Sequence, residues 1–209
     1  MSAHAPIDWN IPARRAGFPG FVDSLFGPGL TTAELILQLG AALALTAGAA
    51  VAIAVSDLGW GPWQVAVIVW LVFDITGGVV TNATSSAKRW WHRPERRRLA
   101  NDLRWSLAHF YMPLLMWTAF PSTYDWVFFA GSWGYLLVGT MVLGSADVYL
   151  RRPLAFVFYL VALALGLYVF PSERGTEWFI PVFYMKHFIS HLLPEEPYRP
   201  SGVSPPVST

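Results

Sequence analysis

An all-α, polytopic transmembrane bundle of about six spans is predicted by three observations on this 209-residue chain. Hydrophobic residues make up 55% of it and charged residues only 13%, about half the charge of an ordinary water-soluble domain. The apolar residues fall in stretches close to the ~20 residues that a helix needs to cross a bilayer. Aromatic residues reach 16%, with 11 Trp, which suits side chains anchored at the two membrane–water interfaces.

The stretches run in order along the chain. The first, about 33–55, is opened by Thr31-x-x-Glu34, a capping box that makes Glu34 a helix cap. It carries Gly40, Ala44, Gly48 and Ala52 at four-residue spacing, small residues that let helix backbones approach closely in lipid. The second covers about 63–82. The third and fourth, about 106–121 and 126–143, are joined by a tight Ser-Thr-Tyr-Asp turn. The fifth spans about 153–170. The sixth, about 178–193, rises only ~24 Å against a ~30 Å hydrocarbon core and is expected to span with local thinning. Residues 31–194 thus form the membrane domain. Residues 1–30, with Phe18, Phe21 and Phe26 among Gly and Pro, form a segment resting on the inner surface. The Pro-rich tail, 195–209, is expected to be disordered.

Charge then predicts orientation. Twelve of the 14 basic residues fall on one side of this topology, from Arg14 and Arg15 through the loop 87–104 to Arg151, Arg152 and Arg199. Cytoplasmic loops hold the excess of Lys and Arg, so both termini are expected inside, in the cell (inner) membrane. The loop 87–104, AKRWWHRPERRRLANDLR, reads first as a topology determinant and second as a binder of anionic lipid head groups. A net charge of +1 gives no support to nucleic-acid binding. With no cysteine, thiolate metal sites and Cys nucleophiles are excluded.

Ionisable residues inside spanning segments are costly and usually face a bundle interior or a cavity. Asp74 lies ~16 Å along the second helix from Trp63, with Gly78 and Asn82 below it on one face and Gly77 and Thr81 alongside. Lys186, in the sixth segment, falls at nearly the same depth and is its expected partner. A second group gathers toward the inner side. His187 and His191 share a helical face one turn apart, with Tyr184 above them and Glu195 and Glu196 beyond. On the third helix, Asp102, Ser106 and His109 share a face. Imidazole with carboxylate suits zinc or iron, so His109, His187 and His191 are the candidate metal ligands, with Asn82 and Asp102 orienting them. Without a metal, His109, Asp74 and Lys186 are the candidate catalytic groups for proton transfer.

Three functions remain open on this basis. One is a membrane enzyme acting on a lipophilic small molecule from a His/carboxylate site. Another is an accessory subunit of a larger membrane complex or homo-oligomer, packed through the Gly/Ala stripe. The last is a small proton-coupled carrier centred on Asp74 and Lys186.

Overall fold

The computed structural model describes residues 7–96 and 98–197. His4, Arg97, Arg199 and most of the Pro-rich tail lie outside them. Nine α-helices, a short 3-10 turn over Pro94–Arg96, a π-helical turn and no strand occur among the described residues. Four are long and apolar enough to cross a bilayer: α2 (Thr32–Val55), α3 (Pro62–Ala83), α7 (Trp126–Ser145) and α8 (Val148–Tyr168). At 1.5 Å per residue each reaches ~30 Å or more.

Local chemistry starts and stops these helices as the sequence suggests. Thr31 and Glu34 close the capping box of α2, with Thr31 N donating to Glu34 Oε2 at 2.9 Å and Glu34 N to Thr31 Oγ1 at 3.1 Å. The other oxygen of Glu34 accepts from Ser86 N at 3.0 Å, tying α2 to α4 (Ser85–Trp91). Asp125 caps α7 by accepting from the amides of Val127 and Phe128. Arg151 donates to the carbonyls of Gly144 and Ala146 at the far end of α7, where helix carbonyls lack amide partners.

The expected third span, 106–121, is not one helix. It divides into α5 (Leu99–Ala108) and α6 (Tyr111–Ala119), with the break at His109 and Phe110. Pro113 is the cause. It has no amide hydrogen for the His109 carbonyl four residues back, and its ring clashes with that carbonyl in a regular helix. The His109 carbonyl instead accepts from Met112 N at 3.2 Å.

The sixth segment also differs from an ordinary spanning helix. It is α9 (Phe179–Tyr184), continued by a π-helical turn over Met185–His191. In that turn Leu192 N donates to the His187 carbonyl at 2.9 Å, five residues back. These thirteen residues rise ~20 Å, and they form the centre of the bundle, packed against α3, α7 and α8. Phe179, Phe183, Tyr184 and Phe188 are fully buried there beside Leu71 and Ile75 of α3, Met112 and Met116 of α6, and Leu136 of α7.

Glycine decides one of these approaches. A Cβ on Gly139 of α7 would lie 2.5 Å from the Phe188 ring. The expected small-residue stripe of α2 behaves differently: a Cβ on Gly40 or Gly48 meets nothing within 4 Å, and Ala44 and Ala52 are exposed. Within the chain, α2 instead seats Gln38 and Ala42 against α3.

The segment before residue 30 is partly helical, α1 (Gly17–Phe26), and lies against α4. Phe18 and Phe21 are exposed, and the Asp23 carboxylate is bound by Arg15. The loop 87–104 is less of a surface feature than its composition suggests. Lys88 and Arg89 are buried, and the Lys88 ammonium donates to the carbonyls of Ser190 at 2.6 Å and Leu193 at 2.7 Å. A cation there completes the end of the last helix, whose final carbonyls carry the negative pole of its dipole.

Gly139→Leu is expected to lower the folded yield in detergent several-fold by displacing Phe188 from the core, while Gly48→Leu leaves it unchanged; size-exclusion profiles of the two variants check this contrast.

Candidate functional site

Asp74 and Lys186 form the ion pair that their depths suggested. Lys186 Nζ lies 2.9 Å from Asp74 Oδ1, and it also donates to the Asp74 backbone carbonyl at 3.3 Å. The Lys186 side chain is 4% exposed and that of Asp74 24%, so the carboxylate faces a cavity and the ammonium is enclosed. Gly78 makes this geometry feasible. A Cβ there would lie 2.4 Å from Lys186 Cε, so the lysine stem runs over the bare backbone of α3. Gly77 serves α2: a Cβ there would lie 3.1 Å from Ala42 Cβ.

The second carboxylate oxygen of Asp74 has a partner the sequence did not suggest. Tyr111, in the first turn of α6, donates its hydroxyl to Asp74 Oδ2. Tyr111 follows the break at His109, and a regular helix through 106–121 would have placed its side chain on a different face. Pro113 was the available signal.

Of the three predicted histidines, two meet directly, and the third, His191, reaches them through Trp105. His109 and His187 have ring centroids 4.9 Å apart, edge to face. His109 Nδ1 is 2.7 Å from the Trp105 carbonyl, and His187 Nδ1 is 2.6 Å from the Phe183 carbonyl. A carbonyl only accepts, so in the neutral rings Nδ1 carries the proton and Nε2 keeps its lone pair. The His187 Nε2 is buried and has no hydrogen-bond partner among the described residues. His191 Nδ1 lies 3.3 Å from Asn82 Oδ1, so Asn82 does orient a histidine.

A second unpredicted residue stands in this group. The Trp105 indole stacks on His191 at 3.5 Å with an interplanar angle of 7°, and lies 4.1 Å from His109 and 4.8 Å from His187. Among the described residues no three His, Asp or Glu side chains are grouped to hold a metal ion. A zinc or iron held jointly by His109, His187 and His191 therefore requires the indole to move from among the rings.

Other expected members lie elsewhere. Tyr184 faces α7, donating to the Ser132 carbonyl at 2.8 Å and stacking on Phe188. Ser106 bonds Thr140 of α7 at 2.8 Å, and Asp102 packs beside Gly144, so their shared face meets α7 while His109, past the end of α5, meets α9. Glu195 pairs with Arg152 at 3.0 Å, and with Glu196 it lines a separate polar pocket beside Lys88.

The ion pair opens on a cavity of about 310 Å³ at the end of the bundle that holds the basic loop. Leu25 and Phe26 of α1, Leu39 of α2 and Phe73 of α3 give it apolar walls. Gln38, Asp74, Lys186, His109, Thr81 and Asn82 are among its polar groups. The small polar stripe of α3 is thus cavity lining. Comparison of the chain with protein-family models, with curated proteins and with solved structures finds no match.

Removing one member of a buried ion pair leaves the other charge uncompensated, which costs several kcal/mol, whereas removing both costs less. Asp74→Ala is therefore expected to lower folded yield more than Asp74→Ala/Lys186→Ala; a double variant as damaged as the summed singles contradicts the pairing.

Asp102, at the basic end, gives a pH-dependent test. Burial pushes its carboxyl up to about 6, opposed by the Arg151 charge. The folded state then binds the proton more tightly than the unfolded chain, so the stabilisation is complete below about pH 4 and is lost as pH rises through about 6. Asp102→Asn is expected to increase the stability at pH 7 by on the order of 2 kcal/mol, seen as a higher unfolding temperature, with the gain shrinking toward pH 4. A gain independent of pH contradicts the assignment.

Proposed function

We propose that the chain is a six-span inner-membrane protein with both termini cytoplasmic, and that it binds a lipophilic molecule in the 310 Å³ cavity and performs proton-transfer chemistry on it. The excess of Lys and Arg at one end supports the orientation. The segment 106–121, broken at His109 and Phe110, and the enclosed segment 178–193 serve as the third and sixth crossings. The observation that carries the function is the buried Asp74–Lys186 pair beside His109 on the wall of a cavity whose surface is mostly apolar. Ionisable groups at that depth are expensive, and a bundle needing only shape has no use for them.

The roles follow from the donors and acceptors. His109, with its proton on Nδ1, offers Nε2 as the base. The Lys186 ammonium, paired with Asp74, stabilises negative charge developing on a substrate oxygen. Tyr111 and Lys186 together hold the Asp74 carboxylate, one on each oxygen. The π-helical turn carrying Lys186, His187 and His191 supports this reading, since such turns occur frequently at functional sites. Zinc or iron remains part of the proposal only as an ion that displaces Trp105 from among the imidazoles.

A second reading has its own support. The exposed Gly40, Ala44, Gly48 and Ala52 of α2 are unused within the chain, which suits an accessory subunit packed on another membrane helix.

The enzyme reading is tested by extracting the detergent-purified protein and identifying bound lipophiles by mass spectrometry. A defined lipophile is expected with the wild type and with His109→Ala, and reduced at least several-fold in Thr81→Phe, which fills the cavity. Equal recovery from wild type and Thr81→Phe contradicts a ligand in this cavity.

A further inference from the structure

A second cavity, of about 360 Å³, lies at the basic end, and its chemistry is the opposite of the first. Arg96, Arg104, Asn101 and Asp102 line it, together with His191. Arg96 is held in place from two directions. Its guanidinium carbon sits 5.1 Å from the Trp91 ring and 5.7 Å from that of Trp90, and its backbone carbonyl accepts from Asn101 Nδ2 at 2.9 Å. Guanidinium groups bind phosphate and carboxylate oxygens through paired N–H donors, so a fixed arginine beside a second one makes an anion cradle. The one carboxyl in the pocket, Asp102, leaves the two arginines in excess.

The two cavities are neighbours. Trp91 and Trp105 line both of them. His191, in the wall of the polar cavity, stacks on Trp105 and contacts Asn82, which lines the apolar one. The polar cavity lies toward the basic end of the chain's topology, where head groups sit, and the apolar one reaches inward to the Asp74–Lys186 pair. We infer that the two form one site for a single-chain amphiphile with an anionic, phosphate-type head. The head is bound by Arg96 and Arg104, and the chain passes the Trp91 and Trp105 indoles into the cavity beside Lys186. This rests on the reading of the apolar cavity as a ligand site and adds the substrate class. The geometry also orders the ligand: the atoms presented to His109 and Lys186 belong to the chain portion, some way from the head.

Three probes separate the parts: tetradecyl phosphate, tetradecanol, which has the chain without the anion, and inorganic phosphate, which has the anion without the chain. Binding to the full-length protein in a non-ionic detergent is read by native mass spectrometry. Tetradecyl phosphate is expected to bind at least about ten-fold more tightly than tetradecanol, as two arginines near the head would provide. Arg96→Gln/Arg104→Gln, outside the hydrophobic core, is expected to abolish that preference and leave tetradecanol binding intact. Thr81→Phe is expected to weaken both amphiphiles. Unchanged tetradecyl phosphate binding in the double arginine variant overturns the head-group site while leaving the cavity reading standing. Inorganic phosphate binding as tightly as tetradecyl phosphate, and indifferent to Thr81→Phe, overturns the single-ligand site in favour of a free-anion site. Both amphiphiles unaffected by Thr81→Phe overturns the cavity reading itself.

Discussion

The Asp74–Lys186 ion pair is the interaction around which the bundle is organised. A charge within an apolar bundle is tolerated only with a partner and with its remaining hydrogen bonds made. Those demands dictate the neighbours. Gly78 has no side chain because the lysine stem occupies its space, and Tyr111 is present because the second carboxylate oxygen needs a donor. Lys186 must come from a segment at the bundle centre, so α9 and the π-helical turn that continues it are enclosed by α3, α7 and α8. Gly139 then has to yield room for Phe188, two residues after the lysine. The backbone of this helix widens to a π-turn over the same residues.

Much of this was legible in the sequence. Asp74 and Lys186 stood out because charges are rare in apolar stretches, and counting residues from Trp63 and Trp178 was enough to match their depths. The four long helices followed from hydropathy, and the start of α2 from its capping box. Helical rise placed His109 and His187 at similar heights, and their rings lie 4.9 Å apart. The cavity stripe of Gly77, Gly78, Thr81 and Asn82 was read from helical spacing and from the small size of its residues.

What the sequence hid has two physical causes. Pro113 lies within an apolar run whose hydropathy is continuous, so the run reads as one span although the backbone breaks at His109. That break redirects Tyr111, and with it half of the carboxylate's environment. The second cause is that composition describes a loop, not its burial. Lys88 and Arg89 look like ordinary surface charges of a basic loop, yet Lys88 closes the end of the last helix through the Ser190 and Leu193 carbonyls. Trp105, at the edge of an apolar stretch, likewise suits the general role of an interfacial tryptophan. Its stacking on His191 depends on the approach of two helices, which no single-helix pattern encodes.

The chain contains two lysines, which makes the central contact directly measurable. Lys88 is bound to carbonyl oxygens and Lys186 to a carboxylate, so their ammonium nitrogens differ in partner. With the protein in bilayers, labelled with 15Nζ lysine and 13Cγ aspartate, solid-state NMR reports nitrogen–carbon dipolar coupling. The account predicts one strong lysine-to-aspartate coupling, consistent with the 2.9 Å Nζ–Oδ1 contact, that persists in Lys88→Met and disappears in Asp74→Asn. No such coupling, or one that survives Asp74→Asn, would contradict the pair and the site built on it.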